Sequence, residues 1–86
     1  MKIKPGFLLK QEGNRFFIIS TQNPQKEPLA VNDMIALLFE QLSNGVDSKE
    51  QLLNAMLDRF DISVVLALSQ IDLCMKEFRE NGMLES

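Results

Sequence analysis

The sequence predicts a small α+β domain in which a three-stranded antiparallel sheet is followed by three α-helices, in the order β-β-β-α-α-α. Short apolar segments separated by turn residues fill the first part of the chain. Three segments with helical spacing of apolar residues follow, and the length of 86 residues suits one domain. We therefore expect a single domain over residues 1–86, with a small sheet over 7–31 and a three-helix bundle over 32–84.

The first two strands are predicted as a hairpin from the segment FLLKQEGNRFFIIS, residues 7–20. Gly13 and Asn14 form the two-residue turn, because glycine adopts the positive φ that a type II′ turn requires at its first position. The resulting register pairs Glu12 with Arg15, Leu9 with Ile18 and Leu8 with Ile19.

A short third strand is predicted at LAV, residues 29–31, after the polar loop TQNPQKEP. Pro28 lacks the backbone N–H that a strand ladder uses, which suits an edge strand. We therefore expect a small sheet that keeps one edge open.

Capping residues predict where the three helices begin and end. The first helix is capped by Asn32 and ends at Asn44-Gly45. The second begins with a capping-box pattern of Ser48 and Gln51. The third is capped by Asp61 or Ser63 and ends at Asn81-Gly82, after which Met83 and Leu84 fold back onto the core. The core-facing residues predicted for the first two helices are Ile35, Leu38, Phe39, Leu42, Leu52, Leu53, Met56, Leu57 and Phe60.

The third helix has more apolar residues than one buried face requires. Ten of the fifteen residues in VVLALSQIDLCMKEF, residues 64–78, are apolar. Leu66 and Leu73 fall nearly opposite the predicted core face, so water or a partner must cover them. That core face consists of Val64, Leu68, Ile71, Met75 and Phe78, with Ala67 and Cys74 beside it.

The composition argues against catalytic and metal-binding chemistry. The sequence has no histidine, tyrosine or tryptophan, no Cys/His set with metal-ligand spacing, no phosphate-binding loop and no nucleophile elbow. We expect a protein that is not an enzyme, without catalytic residues, metal or cofactor. The single cysteine, Cys74, permits no internal disulfide and is expected to be a buried structural thiol.

Charge is distributed unevenly along the chain. Residues 1–26 have five basic residues and one acidic residue, a net charge of +4, whereas residues 27–86 have four basic and eleven acidic residues, a net charge of −7. This asymmetry either steers a partner or is a solvated surface without a special role. No apolar run has membrane-spanning length and the N-terminus lacks a signal-peptide core, so we expect a cytoplasmic protein that does not contact membranes.

Two sequence motifs, one around the first helix and one at the end of the third, together with the order of the elements, follow a known pattern over nearly the whole chain. VNDMIALLFEQLSNG contains Val31-Asn32, Ala36 within the helix and Gly45 after it, and EFRENGML ends the third helix. In these motifs the sequence resembles the PqqD-like family, whose pattern is LN-x-x-A, an apolar helix ending near glycine, and a final L-x-x-x-G-L. The terminal signature is represented here by Phe78, Gly82, Met83 and Leu84.

The resemblance implies a winged helix-turn-helix-like fold and a role as a recognition element for ribosomally made, post-translationally modified peptides. In that role the leader segment of a precursor peptide adds as a strand to the open edge of the third strand, in a cleft beside the third helix. The bound leader is presented to a modifying enzyme such as a radical SAM protein. The peptide-binding residues expected on this basis are Glu27, Leu29, Ala30, Val31, Val65, Leu66, Ser69, Gln70, Leu73 and Lys76.

Two other functions remain open from the sequence. A winged-helix DNA-binding protein needs a basic recognition helix, but residues 47–81 contain seven acidic and only four basic residues, so we expect no nucleic-acid partner. A homodimerisation module would pair Val65, Leu66 and Leu73 across a two-fold axis. Family members usually have acidic residues after the cap of the third helix, where this chain has VVLAL, so this face meets the leader, the modifying enzyme or a second copy.

Overall fold

The computed structural model describes residues 1–85 and confirms a three-stranded antiparallel sheet followed by three helices, in a winged-helix-like arrangement. Two further short strands, near the two ends of the chain, pair with each other and were not predicted. Ser86, the last residue of the predicted domain, lies outside the described residues. In chain order the elements are β1 (Lys2–Ile3), β2 (Phe7–Glu12), β3 (Arg15–Ser20), β4 (Leu29–Val31), α1 (Asp33–Asn44), α2 (Lys49–Arg59), α3 (Val64–Glu80) and β5 (Leu84–Glu85).

The β2–β3 hairpin has the predicted register and turn. Gly13 has a φ of 61°, whereas Asn14 does not have a positive φ, which agrees with a type II′ turn because a type I′ turn needs positive φ at both positions. The antiparallel sheet has the order β2-β3-β4, so β4 is an edge strand as predicted. The predicted pairs Glu12–Arg15, Leu9–Ile18 and Leu8–Ile19 are all present.

Two of the three predicted helix caps are confirmed, and one differs. The Oδ1 atom of Asn32 accepts a hydrogen bond of 2.8 Å from the Ile35 N–H, and Ser63, rather than Asp61, caps α3. Ser48 occupies the N-cap position of α2 without a side-chain cap bond. The capping box does not form, because the Gln51 side chain reaches one residue further back and accepts from the backbone N–H of Asp47.

Helix α1 provides the centre of the core. It contacts α2, α3, β1 and β2, and its predicted core residues are all buried. The Phe39 ring meets the Phe78 ring of α3 edge to face, with 6.2 Å between centroids and 85° between planes. Of the five core residues predicted for the second helix, Leu52 and Met56 are fully buried. The other three, Leu53, Leu57 and Phe60, are half-buried against the core.

The buried side of α3 is rotated from the predicted core face. Its fully buried residues are Ala67, Ile71, Cys74 and Phe78, so the two residues predicted to flank the core lie at its centre. Val64 was predicted to be in the core and is 49% exposed, because it begins the first turn of α3, where Val65 and Leu66 are exposed too. Leu68 and Met75 are only half-buried.

The strands near the two ends of the chain meet beside α1, and neither of them pairs with β4. β1 pairs antiparallel with β5, and the Lys4 N–H donates to the Met83 carbonyl at 2.8 Å. Met83 is buried and Leu84 packs against the core, as predicted. The N-terminal amino group donates to the carbonyl of Val46, which follows α1.

We predict that Ile71→Ala destabilises the fold much more than Leu68→Ala on the same helix. Ile71 is fully buried, so its truncation leaves a cavity and costs about 2–5 kcal/mol of unfolding free energy. Leu68 is half-buried, so its truncation costs roughly 1 kcal/mol. Urea denaturation of both variants measures the difference, and an equal or larger loss for Leu68→Ala would contradict the observed rotation of α3.

Stability is also predicted to fall in alkaline solution because of Cys74. Burial, and secondarily the charge of Glu77, raise the pKa of the Cys74 thiol from 9.0 to about 12. The unfolded thiol ionises at its lower pKa, so the contribution of this group is complete below pH 9.0 and is lost as the pH rises toward about 12. Unfolding free energies measured across this range should fall less steeply for Cys74→Ala, and equal slopes would contradict the prediction.

Candidate functional site

The free edge of β4 is open in this structure. Among the described strands, β4 pairs only with β3. Over residues 1–85, the backbone of Leu29–Val31 forms no hydrogen bond to any segment other than β3. Because strand backbone groups alternate in direction, part of the N–H and C=O groups of β4 remains available to another strand.

A cavity of about 290 Å³ lies at the Leu29 end of β4, next to the end of α3. Its apolar lining includes Phe7, Ile18 and Met83. Leu29 of β4 lies on one side of the cavity, and Asn81, the C-cap residue of α3, lies on the other. The Asn81 side chain is held in place because its Nδ2 atom donates to the Glu77 carbonyl at 2.8 Å. The cavity therefore joins the edge strand to the end of α3.

A stripe of side chains continues from this cavity along α3. Residues three or four positions apart share one side of a helix, so the stripe that includes Asn81 extends backwards through α3. Leu73 is 52% exposed and Leu66 is 42% exposed, although both are large and apolar. We use the word cleft for the surface that consists of the free edge of β4, the cavity at its Leu29 end and this stripe. The stripe consists of Leu66, Gln70, Leu73, Glu77 and Asn81.

Of the ten predicted site residues, four lie at the cavity or on the edge strand, three lie on the stripe of α3 and three lie elsewhere on α3. Glu27 and Leu29 line the cavity, and Ala30 and Val31 complete the edge strand. Leu66, Gln70 and Leu73 belong to the stripe. The remaining three, Val65, Ser69 and Lys76, are exposed on the side of α3 that faces away from the buried residues.

Several residues of the site were not predicted from the sequence. Glu77 and Asn81 continue the three-to-four spacing of Leu66, Gln70 and Leu73, so this spacing could have identified them. Phe7 and Met83 reach the cavity from the hairpin and from the chain after α3, and no local sequence signal places such distant segments together.

Over residues 1–85 no three His, Cys, Asp or Glu side chains are placed to hold a metal ion. The Cys74 thiol is fully buried, and its raised pKa makes it a poor nucleophile. In the part of the chain that is described, no helix is long and apolar enough to cross a membrane.

A wider groove of about 670 Å³ lies between α1 and α2. Its lining includes Gln41, Asn54, Asp58 and Arg59, which are polar side chains on helices whose backbone groups are already paired. An extended chain finds no strand partner in this groove. The cleft beside β4 is therefore the better candidate site, although it is smaller.

The sequence matches no family model and no curated protein. The fold is similar to that of TbiB1 in complex with the TbiA(beta) leader peptide, at 12% sequence identity and a TM-score of 0.77, over 100% of this chain and 96% of that chain. It is also similar to lasso peptide synthetase B1 complexed with the leader peptide, at 19% identity and a TM-score of 0.74, over 99% of this chain and 96% of that chain. At these identities the likeness establishes a shared fold.

Proposed function

We propose that this chain is a non-enzymatic, PqqD-like module that binds the leader segment of a ribosomally made precursor peptide and presents it to a modifying enzyme. The leader adds as a strand to β4 and occupies the cleft. The observation that carries the proposal is the free edge of β4, which ends at a cavity shared with the end of α3, on the helix that also has the exposed Leu66 and Leu73. Strand addition needs both features, because backbone bonds supply affinity and side-chain contacts supply selectivity.

The two structural neighbours support this proposal. Both are described as complexes with leader peptides, and both share the fold of this chain over nearly its full length. At these identities the likeness does not transfer their function, so the argument for this chain rests on its own edge strand and stripe.

The free energy of burying Leu66 and Leu73 is a minor part of what peptide binding requires. Each is about half exposed, so burying the remainder of Leu66 and Leu73 contributes about 1 kcal/mol apiece. A micromolar complex requires about 8 kcal/mol. The backbone bonds to β4 and a side chain that fills the cavity must supply the larger part.

The free edge of β2 is the main competing place for strand addition. β2 is longer than β4 and is the other outer strand of the sheet. It carries the exposed Lys10, a residue type that discourages edge pairing, and the described cleft lies at the opposite edge of the sheet. The proposal therefore requires a peptide to bind at β4.

Peptide binding is predicted to depend on Leu73 and not on Leu8. Leu73 is 52% exposed in the cleft and Leu8 is 54% exposed on the outer face of the sheet, so Leu8→Lys is a matched control. The probes are synthetic peptides of about fifteen residues, long enough to span the cleft, that tile the short reading frames flanking the gene. Leu73→Lys should weaken the tightest binder by about tenfold and change unfolding free energy by less than about 0.5 kcal/mol.

Calorimetric titration of both variants measures this difference, and urea denaturation checks their folding. Equal weakening by both substitutions would contradict binding in the cleft. Unfolding of Leu73→Lys would contradict the exposed position of this side chain. No binding of any flanking peptide to the wild-type protein would overturn the proposed function.

Hydrogen exchange is predicted to locate the bound peptide at β4. Backbone N–H groups of Leu29–Val31 that face away from β3 gain a partner in the complex, so their exchange should slow on addition of the tightest binder. The amides of β2 serve as the internal control and should exchange at an unchanged rate. Slower exchange at Phe7–Glu12 instead would place the peptide on the other edge.

A further inference from the structure

The outer face of the three-stranded sheet has large apolar residues that take no part in the core. On the inner face, Ile18 of β3 is buried, and its neighbours Leu9 and Leu29 pack against the core. Phe17 and Ile19 lie on the outer face, because successive strand residues point to opposite sides. Both are half-buried, and over residues 1–85 neither belongs to the core or to the side chains packed against it. Strand β3 is therefore apolar on both faces, and the core covers only one of them.

One row of residues on this outer face runs across the sheet to its free edge. The register places Lys10 of β2 beside Phe17 of β3, and Phe17 beside Ala30 of β4. Ala30 is exposed, and alanine is a poor strand former whose side chain is a single methyl group. On its β4 side, Phe17 therefore has only a methyl group directly beside it.

A peptide strand that pairs with β4 extends this row by one residue. Strand addition puts one peptide residue directly beside Ala30, and its side chain points to the outer face. The Cα atom of that residue lies two strand spacings, about 10 Å, from the Cα atom of Phe17. Because alanine leaves the space between them open, a large side chain reaches across Ala30 to the phenylalanine ring. Resting on the proposed function, we propose that the peptide residue beside Ala30 has a large apolar side chain that packs on Phe17.

This contact defines the class of leader that the protein accepts. The two peptide residues that flank the one beside Ala30 point to the inner face, where Leu29 and the cavity lie. A leader selected by the inner face alone would alternate between apolar and polar residues. The contact with Phe17 requires an apolar residue where that alternation places a polar one. Phe17 is thereby a selectivity residue that lies outside the cleft.

Disulfide cross-linking identifies the peptide residue beside Ala30. The variant Ala30→Cys places a thiol on the edge strand, and residues directly opposite each other in a ladder have Cα distances that a disulfide spans. Cys74 does not compete, because it is fully buried and its pKa is raised to about 12. The probes are copies of the tightest-binding flanking peptide with a cysteine at each position in turn. The position that cross-links fastest in a thiol–disulfide buffer should have a large apolar residue in the unmodified peptide.

A double-mutant cycle with Phe17 tests the contact itself. Alanine at the identified peptide position should weaken binding to the wild-type protein by about fivefold. It should weaken binding to Phe17→Val by less than about twofold, because valine suits a strand but is too short to reach across Ala30. The matched control is Leu8→Val, at an exposed apolar residue of the same face on β2, which should retain the full effect of the alanine. Calorimetric titration measures each affinity, and urea denaturation checks that the variants fold.

The outcomes separate this inference from the proposed function. A polar, charged or glycine residue at the identified position would overturn the Phe17 contact. An alanine effect of equal size in the wild-type protein and Phe17→Val, or cross-linking without preference for any position, would overturn it as well. Only a failure of the wild-type protein to bind any flanking peptide overturns the proposed function itself.

Discussion

The packing of α1 against both the sheet and α3 is the constraint on which the cleft depends. β4 is joined to α1 through Asn32 alone, and the Asn32 side chain closes this junction by accepting from the Ile35 N–H. On the other side, the edge-to-face contact of Phe39 with Phe78 holds α3. The two walls of the cleft are thus positioned by buried residues, whereas Leu66 and Leu73 on the α3 side are exposed and contribute little to the fold.

The open edge of β4 could promote association between copies of the chain, and features of the sequence reduce this risk. Unpaired strand edges promote association between copies, and natural proteins shorten or interrupt them. β4 has only three residues and follows Pro28, which cannot extend the ladder. On α3, Gln70 lies between the exposed Leu66 and Leu73, so the two leucines form no continuous apolar surface. The short strand and Pro28 therefore limit how far another copy of the chain can pair with β4.

Local chemistry was sufficient to predict most elements of this fold. The Gly13-Asn14 turn and the caps Asn32 and Ser63 act within a few residues of the chain, and the structure confirms each of them. Spacing along α3 predicted an apolar core face but misplaced its centre, because a helix with ten apolar residues in fifteen has no unique core face. Tertiary contacts decided between the alternatives, and they favoured Cys74 over Val64.

The parts that were not predicted come from segments distant in sequence. The β1–β5 pair joins the two ends of the chain, and neither strand is long enough to have a detectable alternation. The cavity likewise combines Phe7 of the hairpin with Met83 after α3. The open edge was predictable because Pro28 is a local signal, whereas the cavity at its end was not.

The geometry also gives the cleft a direction. Leu29 lies at the cavity together with Asn81, which is at the end of α3. At the other end of β4, Val31 pairs with Phe16. Phe16 lines the same surface depression as Phe60, which lies just before the start of α3. β4 and α3 therefore run in opposite directions along the cleft. A peptide that pairs antiparallel with β4 runs along α3 in the direction of the helix, and its C-terminal side leaves beside the cavity. On the proposed function, the part of a precursor that follows its leader would therefore leave the site at the cavity end.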